Sequence, residues 1–456
     1  MILQNKKMNT YSRYISEFKG LNRLPVIDDG ELMSSENMVF DLYPVMTVRK
    51  GRKPWGGVSG TPQGILLVDE TVITVSDGTL YVDHEATPLT GLSDGMKSVV
   101  EFWGKIFVFP DKKYYDINSE EYGDMGTGVF PEEGSVPDMD YVCVHNNRIW
   151  GVKGNYIYAS ANGWAMGEMN AADIPGWTPC YDAQGYPNDL GACWFEVASD
   201  GKFTGVSSWD DKIVALKEHC HHEITGTNPS NFALSTVSKC GTVGHFTIQE
   251  VDGKLIFVSD RGVQSYGGSF ENNIGRNLNE DCGTAKIYSC GSDGIRYYLS
   301  GEFDGLDKLY VYDTFIGAWT EEDALRVVQF ARGEGYLLAL CDNGQIYRLR
   351  CADSTESVLW SFSFSDYADS VYNESKVSKL ILKVKGEEGA NLKVEMAVDQ
   401  KDFEILKEYT FDGKFMQTIK CDMRRGCEHL FRVSGSGEVE VYGYHFVAQN
   451  GGERIV

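Results

Sequence analysis

The sequence predicts an all-β chain: a β-propeller of about seven blades followed by a small C-terminal β-sandwich. Three observations predict it. The composition is rich in Gly (50) and aromatics (25 Tyr, 22 Phe, 9 Trp) and poor in Pro (12). With many Val and Thr and no Ala/Leu/Glu runs, it favours strands and tight turns over helices. Short alternating apolar runs, each closed by Gly, Asn or Asp, recur at a spacing of roughly 40 residues. The period and the charge then change together near residue 375. A chain of 456 residues has room for two such bodies.

Taken in order, residues 1–56 form an N-terminal segment that partly closes the propeller, through ENMVFDLYPVMTVRKG (36–51). The propeller itself is expected over 57–355. Its first unit is ILLVDETVITVSDGTLYV (65–82), with a hairpin at Asp77-Gly78. The same beat returns at 98–117, at 141–159 with turns at Asn146-Asn147 and Gly154-Asn155, and at 203–217 with a turn at Asp210-Asp211. It returns again at 246–266 with turns at Asp252-Gly253 and Arg261-Gly262, at 286–319, and at 327–349 with a turn at Asp342-Asn343-Gly344. One small twisted sheet cannot bury both faces, and radial stacking solves that problem. An array of β-sandwiches is the alternative. From Ser375 to Val456 the period shifts to strands of about five to eight residues, which read as a separate sandwich.

Two stretches interrupt the beat. Residues 116–140 hold Asp116, Glu120, Glu121, Asp124, Glu132, Glu133, Asp138 and Asp140, and form an acidic loop. Residues 161–200 hold Trp164, Trp177, Tyr181, Tyr186, Trp194 and Phe195. That loop either packs over the propeller or serves as a partner-binding arm.

The formal charge of −24 opposes a surface that grips nucleic acid. Residues 375–456 contain 13 Lys+Arg and 13 Asp+Glu, so 1–374 carry the whole surplus. The eleven cysteines are scattered without CxxC pairs, as buried thiols of a reducing compartment would be. The N-terminus has no apolar signal region and no apolar run reaches the length of a membrane span, so a cytosolic origin without a membrane is expected.

EHCHHE, Glu218 to Glu223, places three of the eight histidines and a cysteine together. Read as one strand continuing from DDKIVALK, it splits them. His219, His221 and Glu223 join the Ile213–Ala215 side, and Cys220 and His222 join the Val214–Leu216 side. Neither face then gathers four zinc ligands, although the fold can bring in His84, His145 or His245. Half-exposed strand residues are the expected outcome. No GxSxG, P-loop, HExxH or EF-hand signature is present, and no catalytic residue, cofactor site or metal site is assigned. A glycosidase needs only two carboxylates. With 66 acids, composition neither reveals nor removes such a pair.

Four stretches carry a family resemblance. EFKGLNR with SSENMVFDLYPVMTVRKGRKP, VHNNRIWGVKGNYIYASANG, KCGTVGHFTIQEVDGKLIFVSDRGVQSYGG and FRVSGSGEVEVYGYHFVA together resemble the tail hub, or nozzle, propeller proteins of tailed bacteriophages. The resemblance implies a virion structural protein in the tail, assembled in the host cytoplasm. It implies copies of the chain in a ring, joined to portal, adaptor and other tail proteins. DNA would pass through an acidic lumen without specific binding, since an acidic wall repels phosphate. The family has no catalytic motif to carry over, so no enzyme is expected. Two alternatives stand beside it: a tail-tip receptor or carbohydrate binder, motivated by loop 161–200, and a glycoside hydrolase of unrecognised type.

Overall fold

The computed structural model describes residues 10–453 except 127–128, 133–134, 164–175, 178–188, 281, 283, 368–372, 400, 414–416 and 420–423. Among them lie seven antiparallel four-stranded units, each with its first strand innermost. Blade 1 is Pro62–Val68, Thr71–Ser76, Thr79–Val82 and Glu85–Ala86. Blade 2 is Ser98–Phe102, Lys105–Phe109, Lys113–Asp116 and Tyr122–Asp124. Blade 3 is Tyr141–His145, Arg148–Lys153, Tyr156–Ala159 and Cys193–Glu196. Blade 4 is Phe203–Trp209, Lys212–Lys217, His221–Thr225 and Ala233–Ser238. Blade 5 is Gln249–Val251, Lys254–Ser259, Gly262–Tyr266 and Glu271–Asn273. Blade 6 is Lys286–Ser292, Arg296–Phe303, Leu306–Asp313 and Ala318–Glu321. Blade 7 is Val327–Gly333, Tyr336–Cys341 and Gln345–Arg348, completed by Lys53–Gly57 from the N-terminal segment.

The second strand of each blade is its most apolar, as in KIFVF of blade 2, where every residue is buried. Such a strand is covered on both faces by neighbouring blades, so period-2 alternation disappears. The turns supply the special backbone: Asp77 (φ 45) and Gly78 (φ 69) both take the left-handed conformation of a tight hairpin. Seven apolar clusters result, one between each pair of adjacent blades.

Hydrogen bonds, one of them backbone to backbone and six through side chains, lace the same seven interfaces. Lys97 N–H donates to the Gln63 carbonyl between blades 1 and 2 (2.7 Å). Val142 N–H donates to Ser98 Oγ between blades 2 and 3 (3.1 Å). His145 Nδ1 meets Ser208 Oγ between blades 3 and 4 (2.8 Å). Thr204 Oγ1 donates to the carbonyl of Thr242, in the connection from blade 4 to blade 5 (2.8 Å). Gln249 Nε2 donates to Cys290 C=O (2.9 Å) and Ser289 Oγ to Val327 C=O (3.0 Å), at the next two interfaces. Ile65 N–H donates to Gln329 Oε1 (2.8 Å) and so joins blade 7 to blade 1. The ring is therefore a closed seven-bladed propeller and not an array of sandwiches.

The eighth apolar cluster is the sandwich. One of its sheets contains Met38–Leu42, Val45–Val48, Val439–Glu453, Asn373–Gly386 and Gln417–Ile419, with Thr10–Ile15 paired along Val439–Glu453. The other runs Ser34–Glu36, Leu359–Tyr367, Glu428–Ser436, Asn391–Val398 and Glu404–Thr410. It is continuous with blade 6, because Glu321 pairs in parallel with Glu36.

Three expected boundaries move. The segment 1–56 gives the propeller the strand Lys53–Gly57 and Leu21 of the blade 5–6 cluster, while 10–48 is otherwise mainly woven into the sandwich; Phe18, Leu32, Met38, Phe40 and Met46 lie in its core. The sandwich takes in Leu359–Tyr367, so it begins ahead of 375. The charge change marks where surface composition shifts, whereas the core boundary follows the alternation of Trp360, Phe362 and Phe364. The stretches 116–140 and 161–200 are not wholly loop, since each holds the outer strand of its blade.

Candidate functional site

EHCHHE is a hairpin and not one strand. Lys212–Lys217 ends, Glu218 to Cys220 turn, and His221–Thr225 returns, closed by Lys217 N–H to Cys220 C=O (2.8 Å). The turn reverses the expected facing. His221 sits opposite Leu216 and Glu223 opposite Val214, while His222 joins Ala215 and Ile224 joins Ile213. The half-exposed reading holds for neither His221 nor His222, which are 0% and 1% exposed. His219 alone faces solvent, near Asp260 (3.4 Å). His222 Nε2 lies 2.9 Å from Ser199 Oγ and 3.6 Å from Cys220 Sγ, and its Nδ1 lies 3.0 Å from Thr236 Oγ1. Lys217 donates to the carbonyls of Val197 and Ser199 and to Asn155 Oδ1. Among the described residues no group of three or more His, Cys, Asp or Glu is placed to hold a metal ion. His84 lies beside Gly56 at the blade 7 edge, away from this hairpin.

The acid surplus belongs to the propeller. Residues 53–358 contain 21 Lys+Arg against 44 Asp+Glu, a net −23. Some of the basic side chains are buried or paired, while Lys202, Lys239, Lys254, Arg261, Arg276, Lys286 and Arg332 are exposed. Lys97 meets Asp111 (2.7 Å), Lys105 meets Asp116 (2.5 Å), Lys112 meets Asp138 (2.7 Å) and Lys113 meets Asp124 (2.5 Å). Lys153 meets Asp140, and Arg148 is spent on the carbonyls of Ser160, Asp189 and Gly191. Much of the acidic stretch 116–140 is thus neutralised locally, and Glu133 lies outside the described residues.

A second set of acids lies elsewhere, and of these Asp293 is paired with Arg296 (3.3 Å). The hairpins joining the first and second strands of the blades emerge on one face of the ring and touch each other. Trp103 Nε1 donates to Asn147 Oδ1 (2.6 Å), Trp209 Nε1 to Gly253 C=O (3.3 Å) and Asp252 N–H to Gly294 C=O (2.9 Å). The tips of these seven hairpins carry Asp69, Glu70, Asp210, Asp211, Asp252, Asp293 and Glu334, and no Lys or Arg. This face surrounds one mouth of the propeller axis.

A cleft of about 730 Å³ opens between blades 6 and 7 and the sandwich. Asp41 crosses it to Arg296 Nη2 (2.9 Å) and Arg350 Nη2 (2.5 Å). Arg296 is further held by Asp293 (3.3 Å) and Asp313 (3.0 Å). Arg348 lies 4.7 Å over the Tyr336 ring, which Trp55 also stacks against. On the sandwich wall Lys385 meets Glu440 (3.1 Å). The Asp41 bridges bind the two bodies to each other. Partners more than 250 residues apart leave no local signal, which is why sequence reading missed them.

In the aromatic stretch 161–200, Trp177 is buried against Phe107, Phe109 and Ile149. Trp194 meets Phe130 edge-on (5.4 Å), and Phe195 packs into the blade 3–4 cluster. These rings cover the propeller. Trp164, Tyr181 and Tyr186 lie outside the described residues.

No protein-family model and no curated protein sequence matches the chain. Solved structures are similar at low identity. One is the extracellular domain of a hybrid two-component system from B. thetaiotaomicron, 9% identical, with 91% of this chain and 63% of that chain covered and a TM-score of 0.45. Another is Kluyveromyces lactis Hsv2, 10% identical over 68% of this chain and 94% of that one, with a TM-score of 0.35. A third is an exo-β-1,3-galactanase from Phanerochaete chrysosporium, 8% identical over 88% of this chain and 100% of that one, with a TM-score of 0.26. The chain spans less than two thirds of the length of the first of these. The seven-sheet ring itself, rather than these distant likenesses, defines the fold.

Proposed function

We propose that the chain is a virion structural protein, one subunit of an oligomeric tail hub or nozzle ring that forms part of a DNA-ejection conduit. The observation that carries this reading is the acidic propeller face. Its hairpin tips bear seven carboxylates, of which Asp293 is paired with Arg296, and no basic group, while several blade lysines and arginines are buried or sit in ion pairs. A wall of that kind repels phosphate at close range and lets a polyanion slide past. The sequence resemblance to tail hub propellers supports the same reading. The near-neutral sandwich is then the part suited to contacts with neighbouring subunits, the portal and the adaptor. The work is done by shape and charge, and no catalytic step is assigned.

The test is quantitative mass spectrometry of density-purified particles. The expected result is that the chain bands with infectious particles at a fixed copy number per portal ring. Its absence from particles overturns the reading.

A further inference from the structure

Five of the chain's eight histidines lie in or against one blade, and all but the exposed His219 pack at its interfaces. His222 occupies the blade 4 face toward blade 3, with Ser199, Thr236, Cys220 and Lys217 around it and the Phe203 ring at 6.0 Å. His145, on the innermost strand of blade 3, meets Ser208 of blade 4 through Nδ1, and Asp211 lies nearby. His221 faces blade 5, edge-on to Tyr266 (4.8 Å), with Nδ1 at 3.1 Å from the Cys240 carbonyl and 3.4 Å from Glu271. Glu223, next on that face, is held by Tyr266 OH (2.9 Å) and Lys212 (3.1 Å). His245 stacks on Tyr141 of blade 3 (4.9 Å), contacts Phe246, and accepts the Val206 N–H of blade 4 (3.5 Å).

We propose that blade 4 is an acid-release point of the ring: protonation of these imidazoles loosens it from blades 3 and 5 while the other interfaces stay closed. The geometry requires neutral rings. The second nitrogens of His221 and His145 are buried without an acceptor, so an added proton has nothing to bond. A proton on His245 Nδ1 faces the Val206 N–H, donor against donor. His222, once charged, faces Lys217.

Burial is the leading cause that holds all four below the ordinary imidazole value, and it outweighs Glu271 and Glu223 beside His221 and Asp211 beside His145. His222 and His245 are pushed down to about 4. The opened blade therefore binds more protons than the closed one. Stability falls as pH drops below about 6.5 and keeps falling until the folded value near 4. Each of the two most depressed rings shifts the closed-to-open ratio by roughly 300-fold across that window. His429, buried in the sandwich near Ser375 and Asp399, is also held low by burial and marks a second acid-sensitive place outside the ring.

The experiment is pulsed hydrogen exchange of the full chain at steps between about pH 7 and pH 4.5, corrected for intrinsic rates. The expected result is that peptides from 203–238 lose protection at least about tenfold more than those from 62–124 near pH 5. The variants H222Q and H245F move that loss to lower pH. If H222Q does not fold, H245F and the wild-type map decide. Simultaneous loss in all blades, or a midpoint unmoved in H245F, overturns the proposal.

Discussion

Gln329 closes the ring on Ile65. Its side-chain carbonyl accepts the Ile65 N–H at 2.8 Å, across 264 residues of sequence, where the last blade meets the first. Replacing Gln329 with Leu leaves that buried N–H without a partner, which costs about 1–3 kcal/mol. Urea unfolding is expected to show the loss. Hydrogen exchange should place the first opening between Pro62–Val68 and Val327–Gly333.

Arg52 is a second point of closure, beside the outer strand of blade 7. It donates to Glu322 (2.7 Å) and Asp323 (2.9 Å), and Glu322 is 2% exposed. R52M removes these bonds but leaves Glu322 near Arg49 (3.7 Å) and Arg350 (3.9 Å), and Asp323 on Arg49 (3.1 Å). A cost of about 1–3 kcal/mol is therefore expected, and thermal unfolding of R52M beside the parent measures it.

Asp116 fixes the end of blade 2. Burial alone would raise its carboxyl. Bonds from Lys105 (2.5 Å) and from the backbone of Ser119 (3.1 Å) and Asn118 (2.9 Å) outweigh that and hold it below the ordinary range. The folded form thus binds its proton less readily than the unfolded form. Its contribution stands at neutral pH, begins to fade as pH falls below about 4, and is lost through the lower folded value. D116N should be destabilised by about 1–3 kcal/mol at pH 7 and indistinguishable from the parent in strong acid.

The acidic hairpin tips make a functional prediction. Asp69, Asp210, Asp211 and Asp252 all have positive φ, between 46 and 56°, and Asn tolerates that conformation. Changing them to Asn therefore leaves folding intact while removing four charges from the face. Within the proposed conduit, particles carrying these changes should assemble normally and eject DNA more slowly in a single-particle ejection assay.

The propeller was legible because its signals are local. Each hairpin such as Asp77-Gly78 or Asp252-Gly253 declares itself within four residues. Outer strands such as Glu85–Ala86 and Tyr122–Asp124 were hidden because they are short and exposed, without an apolar pattern. The hairpin in EHCHHE was missed because Glu218 and Cys220 break no alternation and neither Gly nor Asn marks the turn. The weaving of 10–48 into the sandwich left no trace either. Pairings such as Tyr14 with His445 are set by tertiary packing across the whole chain.

The most direct measurement is cryo-electron microscopy of purified virions bearing a small tag after Val456. The account predicts density in a closed ring around the DNA channel, with the face carrying Asp69, Asp210, Asp211 and Asp252 turned toward the DNA path. Density confined to a distal fibre or spike, or an acidic face turned away from the lumen, would contradict it.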